Sequence, residues 1–310
     1  MELRVVNRHR ETRDIVSFTL ARTDSGRLPV WAPGAHIDVR LPAGLIRQYS
    51  LNGPLDSAQW RISVLRERDS RGGSAFLHQA VKAGGRLQVS ALRNNFRLEH
   101  ARHYVFVAGG IGITPLLPMI EQVAREDGSW ELHYGGRSRA AMAFLTSLEN
   151  FGNRVQAYPK DSGGRLPINE IAASAGRRPG TAVYGCGPAQ MLDALRDSLG
   201  PWPQVTLHIE RFQPAKSQPG VSRPVTVRLR SSGAVIQVPP DKSVLECLED
   251  SGVEILSSCR SGTCGTCLTG VLDGEPDHRD SVLSDDERGS GSWIIVCVSR
   301  ARSPHLELDL

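Results

Sequence analysis

Short runs in which apolar and polar residues alternate fill the first hundred residues of the chain. The clearest runs cover residues 15–20, 36–41 and 60–65, and turns rich in Gly and Pro separate them. Such alternation predicts half-buried β-strands, and a series of short strands with tight turns is typical of a small antiparallel barrel. One predicted helix interrupts the series, from Ser74 to about Lys82. We therefore expect an antiparallel β-barrel domain over residues 1–98.

Residues 99–212 follow another pattern, in which apolar strands alternate with helices. His103–Ala108 is a continuous apolar run, and an apolar helix is predicted from Pro115 to about Arg125. Further strands are expected at 130–134, 154–158, 181–184 and 204–209, with helical stretches near 139–149 and 188–199. Alternation of strand and helix favours an α/β domain with a doubly wound parallel sheet.

A proline-rich stretch separates these two regions from the C-terminal part. Residues 213–224 contain three prolines, one glycine and two serines without periodicity, which predicts a linker. Residues 225–310 are predicted to form a hairpin, a helix over 243–250, a cysteine-rich loop and late strands. This order of elements matches a β-grasp ferredoxin domain, so the sequence predicts a multidomain protein.

The cysteine-rich loop carries the most specific chemistry. Cys259, Cys264 and Cys267 have C-x4-C-x2-C spacing, and Cys297 follows in an apolar run that we interpret as a strand. Three thiols on one loop with a distant fourth are typical of a plant-type [2Fe–2S] cluster. Zinc is the main alternative, although its sites usually pair their cysteines in two short clips. Disulfide bonds are a weaker alternative.

Charge and cysteine content bear on the partners and the compartment. The net charge of +4 is uneven, because residues 1–223 hold 29 Lys and Arg against 19 Asp and Glu, whereas residues 224–310 hold 8 against 14. An acidic cluster domain suits docking to a basic patch on another protein or on its own basic half, and the scattered basic residues argue against nucleic acid. Without a signal-like or membrane-spanning segment, and with only Cys186 and Cys247 left over, we expect a cytoplasmic protein.

Two segments of the barrel region suggest a flavin site. Arg47, Tyr49 and Ser50 share one strand, and they offer a guanidinium for a phosphate, a ring for a flat heterocycle and a hydroxyl for a ring nitrogen. Gly73 and Ser74 stand at a helix start, where free backbone N–H groups and the helix dipole favour an anion. An edge strand with a surface arginine and a serine N-cap are the structural alternatives.

Two glycine-rich turns in the α/β region suggest a nucleotide site. Gly109–Pro115 follows an apolar strand and opens a helix, so its glycines allow close approach of a pyrophosphate, although it lacks the G-x-G-x-x-G fingerprint. Tyr184–Pro188 lies at another strand end, where open α/β sheets bind ligands. Cys186 within it is either a small buried residue or part of the site.

Together these residues resemble the ferredoxin–NADP reductase superfamily, and more narrowly the reductases of the phthalate dioxygenase and vanillate demethylase type. The resemblance covers the whole chain and keeps the order flavin, nicotinamide and ferredoxin domains. Because the ferredoxin domain is C-terminal, it implies FMN rather than FAD. It also implies cofactor contacts by Arg47, Tyr49, Ser50, Val64, Leu65, Gly73, Ser74, Gly110, Thr114, Cys186, Glu210 and Phe212, with Ser50 and Cys186 holding the reacting geometry.

One departure from that family concerns the nicotinamide cofactor. After the strand that ends at Tyr134, the chain has Arg137, Ser138 and Arg139 near the place where reductases of the phthalate dioxygenase type carry an acidic residue for the NADH ribose. Ser138 between two arginines could instead accept the 2′-phosphate of NADPH. We favour NADH, because similar demethylase reductases use it.

The resemblance implies the reductase component of a two-component oxygenase system. Electrons would pass from NADH through FMN and the [2Fe–2S] cluster to a terminal Rieske-type oxygenase that demethylates or hydroxylates an aromatic compound. This chain has no Rieske pattern of its own, so it would not touch the aromatic substrate. The alternatives are a reductase for a P450 or another acceptor, and a ferredoxin carrier with a non-catalytic flavoprotein half.

Overall fold

The computed structural model describes residues 1–24, 26–67, 72–213 and 222–310. These residues form two compact units, Met1–Glu210 and Arg211–Leu310. Most of the predicted linker, residues 214–221, lies outside the described residues, so the predicted domain and linker boundaries stay predictions. No helix in the described ranges combines the length and the apolar character that crossing a bilayer requires.

The N-terminal part of the first unit is a six-stranded antiparallel sheet. Its strands are β1 (Glu2–Arg10), β2 (Ile15–Arg22), β3 (His36–Arg40), β4 (Ile46–Ser50), β5 (Trp60–Leu65) and β6 (Arg86–Arg93), in the order β4-β3-β6-β1-β2-β5. A bridge between Leu51 and Ile62 joins the two outer strands, so the sheet closes on itself. Apolar side chains including Phe18, Ile37 and Trp60 fill its interior. The predicted antiparallel barrel is confirmed.

Helix α1 (Gly73–Ala80) follows β5 and begins one residue earlier than predicted. Gly72 precedes it in the left-handed region (φ 94°), a conformation that glycine adopts without strain. Ser74 therefore lies inside the first turn and is not the N-cap. Its hydroxyl accepts a hydrogen bond from the Glu67 N–H at 3.2 Å.

The second part of the first unit is a five-stranded parallel sheet. Its strands are β7 (His103–Gly109), β8 (Trp130–Gly136), β9 (Val155–Pro159), β10 (Thr181–Cys186) and β11 (Thr206–Glu210), in the order β11-β10-β7-β8-β9. The helices are α2 (Ile113–Arg125), α3 (Leu145–Leu148), α4 (Ile168–Gly176) and α5 (Ala189–Leu199).

Alternate residues of the central strand β7 belong to different cores. Phe106 packs with Leu116 of α2, whereas Val105 packs in the cluster that contains Ile171 of α4 and Leu195 of α5. Helices therefore cover both faces, and the doubly wound arrangement is confirmed. The helix predicted near 139–149 is wrong in extent, because only α3 and flanking 3-10 turns form there.

The second unit contains a five-stranded mixed sheet. Its elements are β12 (Val225–Leu229), β13 (Val235–Val238), α6 (Val244–Asp250), β14 (Leu268–Asp277), α7 (Asp285–Ser290), β15 (Trp293–Ile295) and β16 (Arg300–Leu308). The strand order is β13-β12-β16-β14-β15, and β12 runs parallel to β16. A capping box of Ser243 and Glu246 starts α6, whose Leu245 and Leu248 enter the core. This is the expected β-grasp arrangement.

Candidate electron-transfer site

The four predicted cluster ligands lie on two segments of the second unit. Cys259, Cys264 and Cys267 belong to the loop between α6 and β14, which we call the cluster loop (residues 259–267). Cys297 is not in a strand as predicted, because β15 ends at Ile295 and Cys297 lies in the turn that follows. None of the six cysteines forms a disulfide bond.

Backbone amides of the cluster loop point at its sulfur atoms. The N–H groups of Ser261 and Thr263 donate to Cys259 Sγ at 3.3 and 3.4 Å, and that of Thr266 donates to Cys264 Sγ at 3.4 Å. Gly262 and Gly265 turn the chain with φ values of 69° and 70°. Such donors stabilise thiolate ligands and tune an iron–sulfur potential.

The cysteine thiols also contact one another. Cys259 interacts with Cys264 and Cys297, and this proximity lowers the pKa of the Cys259 thiol. Cys297 also interacts with Cys267. The described residues hold no set of three or more His, Cys, Asp or Glu side chains suited to one metal ion. A [2Fe–2S] cluster needs no such set, since it divides its thiolates between two irons. Four reduced cysteines with inward N–H donors therefore fit this cluster.

The predicted phosphate site brings Arg47 of β4 against the start of α1. A Cβ atom built on Gly73 would lie 3.0 Å from Arg47 Cγ and 3.2 Å from Nε, so glycine at this position makes room for the arginine. The first N–H groups of a helix have no partner within that helix. A guanidinium beside such groups fits the phosphate of FMN.

The other predicted flavin residues lie on β4 and β5. Tyr49 shares a face of β4 with Arg47, and burial raises the pKa of its phenol above the ordinary value. Val64 and Leu65 end β5; the Val64 carbonyl accepts a hydrogen bond from His78 Nε2 at 2.9 Å, which occupies one of its lone pairs. Phe212 belongs to the second unit, and its flavin contact stays a prediction.

Three predicted residues from distant parts of the chain meet at the ends of β4, β10 and β11. Cys186 and Glu210 are partners in the β10–β11 ladder, and the Ser50 side chain hydrogen-bonds the Glu210 carboxyl. Burial raises the pKa of the Cys186 thiol well above its usual value, and the neighbouring Glu210 adds to this effect. Cys186 is therefore an uncharged thiol, which suits positioning rather than nucleophilic attack.

Glu210 is the most unusual ionisable group of this set. Its Oε2 atom is buried without a hydrogen-bond partner, although the residue as a whole is only partly buried. Burial raises the pKa of the carboxyl to about 8, against a smaller lowering effect of the Ser50 hydrogen bond. The charge of an ionised Glu210 would reside on this carboxyl group, whose Oε2 atom is buried. Glu210 is thus largely protonated at neutral pH.

The two glycine-rich turns of the nucleotide region pack directly against each other. A Cβ atom on Gly187 would lie 2.9 Å from the Cα of Gly109, and one on Gly112 would clash with the Cys186 carbonyl. Gly110 adopts a left-handed conformation (φ 56°), and Thr114 is buried in α2, where its hydroxyl donates to the Ile111 carbonyl at 2.9 Å. Only glycines allow this close approach beside a helix start.

The loop after β8 carries the residues expected to select the nicotinamide cofactor. Arg137 Nη2 lies 3.6 Å from Asp14 Oδ2, and Arg139 forms an ion pair with Glu149. Ser138 between them has an extended backbone. Both guanidinium groups are largely exposed and already have carboxylate partners.

One contact between the two sheets of the first unit was not predicted. The guanidinium of Arg61 on β5 lies 5.1 Å from the ring centroid of Phe144 and donates to Asn52 Oδ1 at 2.9 Å. Phe144 has a left-handed backbone (φ 64°), which is strained for a residue with a side chain. An arginine in a β-strand gives no sequence signal for such a contact.

Comparison with known proteins identifies two family domains in the chain. Residues 227–302 match the model of a 2Fe-2S iron-sulfur cluster binding domain, and residues 106–197 match an oxidoreductase NAD-binding domain. The chain is 40% identical to a vanillate O-demethylase oxidoreductase of Pseudomonas sp. (strain HR199 / DSM 7063), with 96% of each chain covered. It is 38% identical to the phthalate dioxygenase reductase of Burkholderia cepacia, covering 100% of this chain and 97% of the relative.

Solved structures give the same result. A phthalate dioxygenase reductase structure matches with a TM-score of 0.72 and 38% identity, covering 100% of this chain and 98% of that one. An intact type IV self-sufficient cytochrome P450 monooxygenase matches with a TM-score of 0.92 and 41% identity. This chain is covered completely but spans only 41% of that P450 protein.

These matches define an electron-transfer oxidoreductase with an NAD-binding and a [2Fe–2S]-binding domain. The chain belongs to the family of phthalate dioxygenase reductases and vanillate O-demethylase oxidoreductases. The expected role of a reductase in an oxygenase system is thereby confirmed, and family membership supports the expected cofactors FMN, NADH and [2Fe–2S].

Proposed function

We propose that this chain transfers electrons from NADH, through bound FMN and a [2Fe–2S] cluster, to a terminal Rieske-type oxygenase that acts on an aromatic compound. The observation that carries the proposal is the meeting of Ser50, Cys186 and Glu210 in a chain that also presents four thiols with inward N–H donors. Bound FMN would supply the conversion of a two-electron donor into single-electron delivery.

The barrel residues bind and orient the flavin in this proposal. Arg47 and the α1 amides at Gly73 and Ser74 hold the phosphate, while Tyr49 lies along the ring system. The backbone at Val64 and Leu65 borders the ring, and Ser50 directs its hydroxyl towards the reacting nitrogen. These groups act through charge, ring packing or hydrogen bonding that fits a flavin nucleotide.

The nucleotide residues position the nicotinamide. Gly110 and Thr114 line the pyrophosphate path, and the uncharged Cys186 thiol contacts the nicotinamide ring without competing for a proton. Glu210 holds a proton on its carboxyl beside Ser50, and its Oε2 atom is shielded from solvent. These residues therefore act by orientation and by shielding.

NADH is the proposed donor, because Arg137 and Arg139 are engaged by Asp14 and Glu149. A 2′-phosphate would have to replace these carboxylates. Such exposed ion pairs are weak, and the ratio of kcat/KM for NADH to kcat/KM for NADPH measures the resulting selectivity.

A Rieske-type oxygenase is the proposed acceptor because of the relatives, which include a vanillate O-demethylase oxidoreductase, a phthalate 4,5-dioxygenase oxygenase reductase subunit and a phenoxybenzoate dioxygenase subunit beta. The acidic composition of residues 224–310 suits a basic docking surface on that partner. The second candidate acceptor is a P450, which is favoured by the 41% identity to the self-sufficient P450 monooxygenase.

An anaerobic titration tests the internal electron path. Purified holoprotein is titrated with NADH and, separately, with NADPH while visible absorption is followed. We expect flavin and iron–sulfur bands to bleach at low NADH. Bleaching with NADPH alone would reverse the donor assignment, and no bleaching with either would refute the reductase function.

Acceptor assays then separate the two candidates. The reduced protein is supplied to a Rieske oxygenase component, such as that of a vanillate or phthalate system, and in parallel to a P450 haem domain. Aromatic turnover with the former alone is the expected result. Turnover with the P450 alone would establish the second candidate.

A further inference from the structure

Asp280 occupies the space between the two segments that carry the cysteines. It belongs to the turn after β14, and its side chain is completely shielded from solvent. Buried carboxylates are rare unless several donors satisfy them. This residue therefore has a specific environment that the sites described above do not use.

The contacts of Asp280 account for both of its carboxylate oxygens. Oδ1 accepts hydrogen bonds from the N–H groups of Val282 and Leu283 at 2.9 Å each, and Oδ2 accepts one from the Ser299 hydroxyl at 3.4 Å. Arg288 donates to the Asp280 carbonyl at 2.7 Å and its guanidinium lies 3.5 Å from Oδ1. His278 Nδ1 lies 3.9 Å from Oδ2.

The turn containing Asp280 also touches the cluster loop. The N–H of Ser281 donates to the Gly262 carbonyl at 2.8 Å. Gly262 has a left-handed backbone (φ 69°), and a Cβ atom there would lie 3.1 Å from the Cα of Asp280. The cluster loop therefore packs directly against this turn.

The second segment is connected through Ser299, which stands two residues after Cys297. Its hydroxyl donates to Asp280 Oδ2 and accepts a hydrogen bond from the Arg279 N–H at 3.1 Å. The Asp280 side chain therefore links the turn to the Cys297 segment. The backbone N–H of the next residue, Ser281, binds the cluster loop. Groups of this kind, behind the ligands, orient metal sites and tune them.

We propose that Asp280 is a positioning residue of the iron–sulfur site: it fixes the cluster loop relative to Cys297, and its buried carboxylate helps to set the reduction potential of the cluster held there. The inference rests on the proposed function, since it concerns the same cluster. A buried negative charge disfavours addition of an electron nearby, so its removal should make the cluster easier to reduce.

Three variants of the full-length protein test the proposal. Asp280→Asn keeps the shape and removes the charge, Asp280→Ala removes both, and Asp273→Asn removes an equal charge at an exposed position of β14. For each we measure iron and sulfide per chain, the EPR spectrum of the dithionite-reduced protein, and the midpoint potential of the cluster.

We expect Asp280→Asn to keep its cluster with a higher midpoint potential and altered EPR g values. Asp280→Ala should in addition lose a large part of its iron and sulfide, whereas Asp273→Asn should match the wild type in all three measurements. If Asp280→Asn and Asp280→Ala both match the wild type, the proposal is wrong. The same holds if Asp273→Asn shifts the potential as much as Asp280→Asn does.

Dithionite reduction keeps this test independent of the proposed function. Reduction of the wild-type flavin by NADH is measured separately on the same preparations. If NADH did not reduce the wild-type flavin, the proposed electron path from NADH would be wrong. The EPR and potential measurements would still decide the role of Asp280.

Discussion

Replacement of Glu210 by Gln isolates the effect of burying its carboxyl group. Burial raises the pKa of Glu210 from 4.5 to about 8 in the folded chain, whereas the unfolded chain retains the ordinary value. The folded state therefore binds this proton more tightly than the unfolded state. The resulting stability is fully present below pH 4.5 and is lost as the pH rises to about 8.

The size of the effect follows from the pKa difference. Each pH unit between the two pKa values lowers the free energy of unfolding by about 1.4 kcal/mol. Between pH 5.5 and pH 7.5 the wild type should therefore lose about 3 kcal/mol of this free energy relative to Glu210→Gln. Ser50→Ala serves as a companion, because the Ser50 hydrogen bond lowers the pKa of Glu210. Its removal should extend the loss of stability to higher pH.

Urea unfolding of flavin-free protein, followed by tryptophan fluorescence, measures these differences. Four of the five tryptophans, Trp31, Trp60, Trp130 and Trp202, lie in the unit that contains Glu210, so the signal reports mainly on that unit. Comparing the two proteins at each pH cancels the groups that titrate alike in both. A free-energy difference that stays constant from pH 5.5 to 8.5 would refute the buried, protonated carboxyl.

Three further variants address the cofactor sites. Cys264→Ser should abolish the iron–sulfur absorption while NADH still bleaches the flavin; loss of both signals would contradict separate sites. Arg47→Ala should cost about 2 kcal/mol of FMN binding, or about a 30-fold rise in Kd by flavin fluorescence, because a charge-assisted phosphate contact disappears, and unchanged flavin retention would remove Arg47 from the site. Replacing Arg137 and Arg139 together by Gln should leave kcat/KM for NADH within about twofold, since exposed ion pairs contribute little; a tenfold loss would show that these arginines bind the dinucleotide.

The sheets were predictable where the apolar pattern was strong and not where small residues carry the packing. Strands β2, β5 and β7 stand close to their predicted bounds because their large apolar residues alternate or run continuously. Helix α4 was missed, because it packs Ala172 and Ala175 against the sheet and shows few large apolar residues. Strand β6 was also missed.

Local preference failed where long-range contacts decide the backbone. The Arg-Ala-Ala-Met composition after residue 138 favours a helix, yet the left-handed Phe144 beside Arg61 breaks it. The apolar neighbours of Cys297 predict a strand, whereas the chain turns there and brings the thiol towards the cluster loop.

The candidate sites also differ in how far the sequence predicts them, depending on whether their residues are close together or distant in the chain. Local spacing predicts the three cysteines of the cluster loop and the glycine-rich turns, because each of these motifs lies within a few residues. The grouping of Ser50, Cys186 and Glu210 depends on three strands that are distant in the chain, so only family resemblance could suggest it. Asp280 showed no signal, since its role comes from the amides and the hydroxyl that surround it.

The central position of β16 has a consequence for biosynthesis. This strand comes after all four cysteines of the cluster site in the sequence, yet it lies between β12 and β14 in the middle of the C-terminal sheet. The sheet therefore lacks its middle until the ribosome has released residues up to Leu308. The cysteines of the cluster loop leave the ribosome before that strand does, so they must stay reduced until the sheet can form. A chain that ended after Cys297 would contain all four thiols but lack β16, so we expect it not to bind the cluster stably.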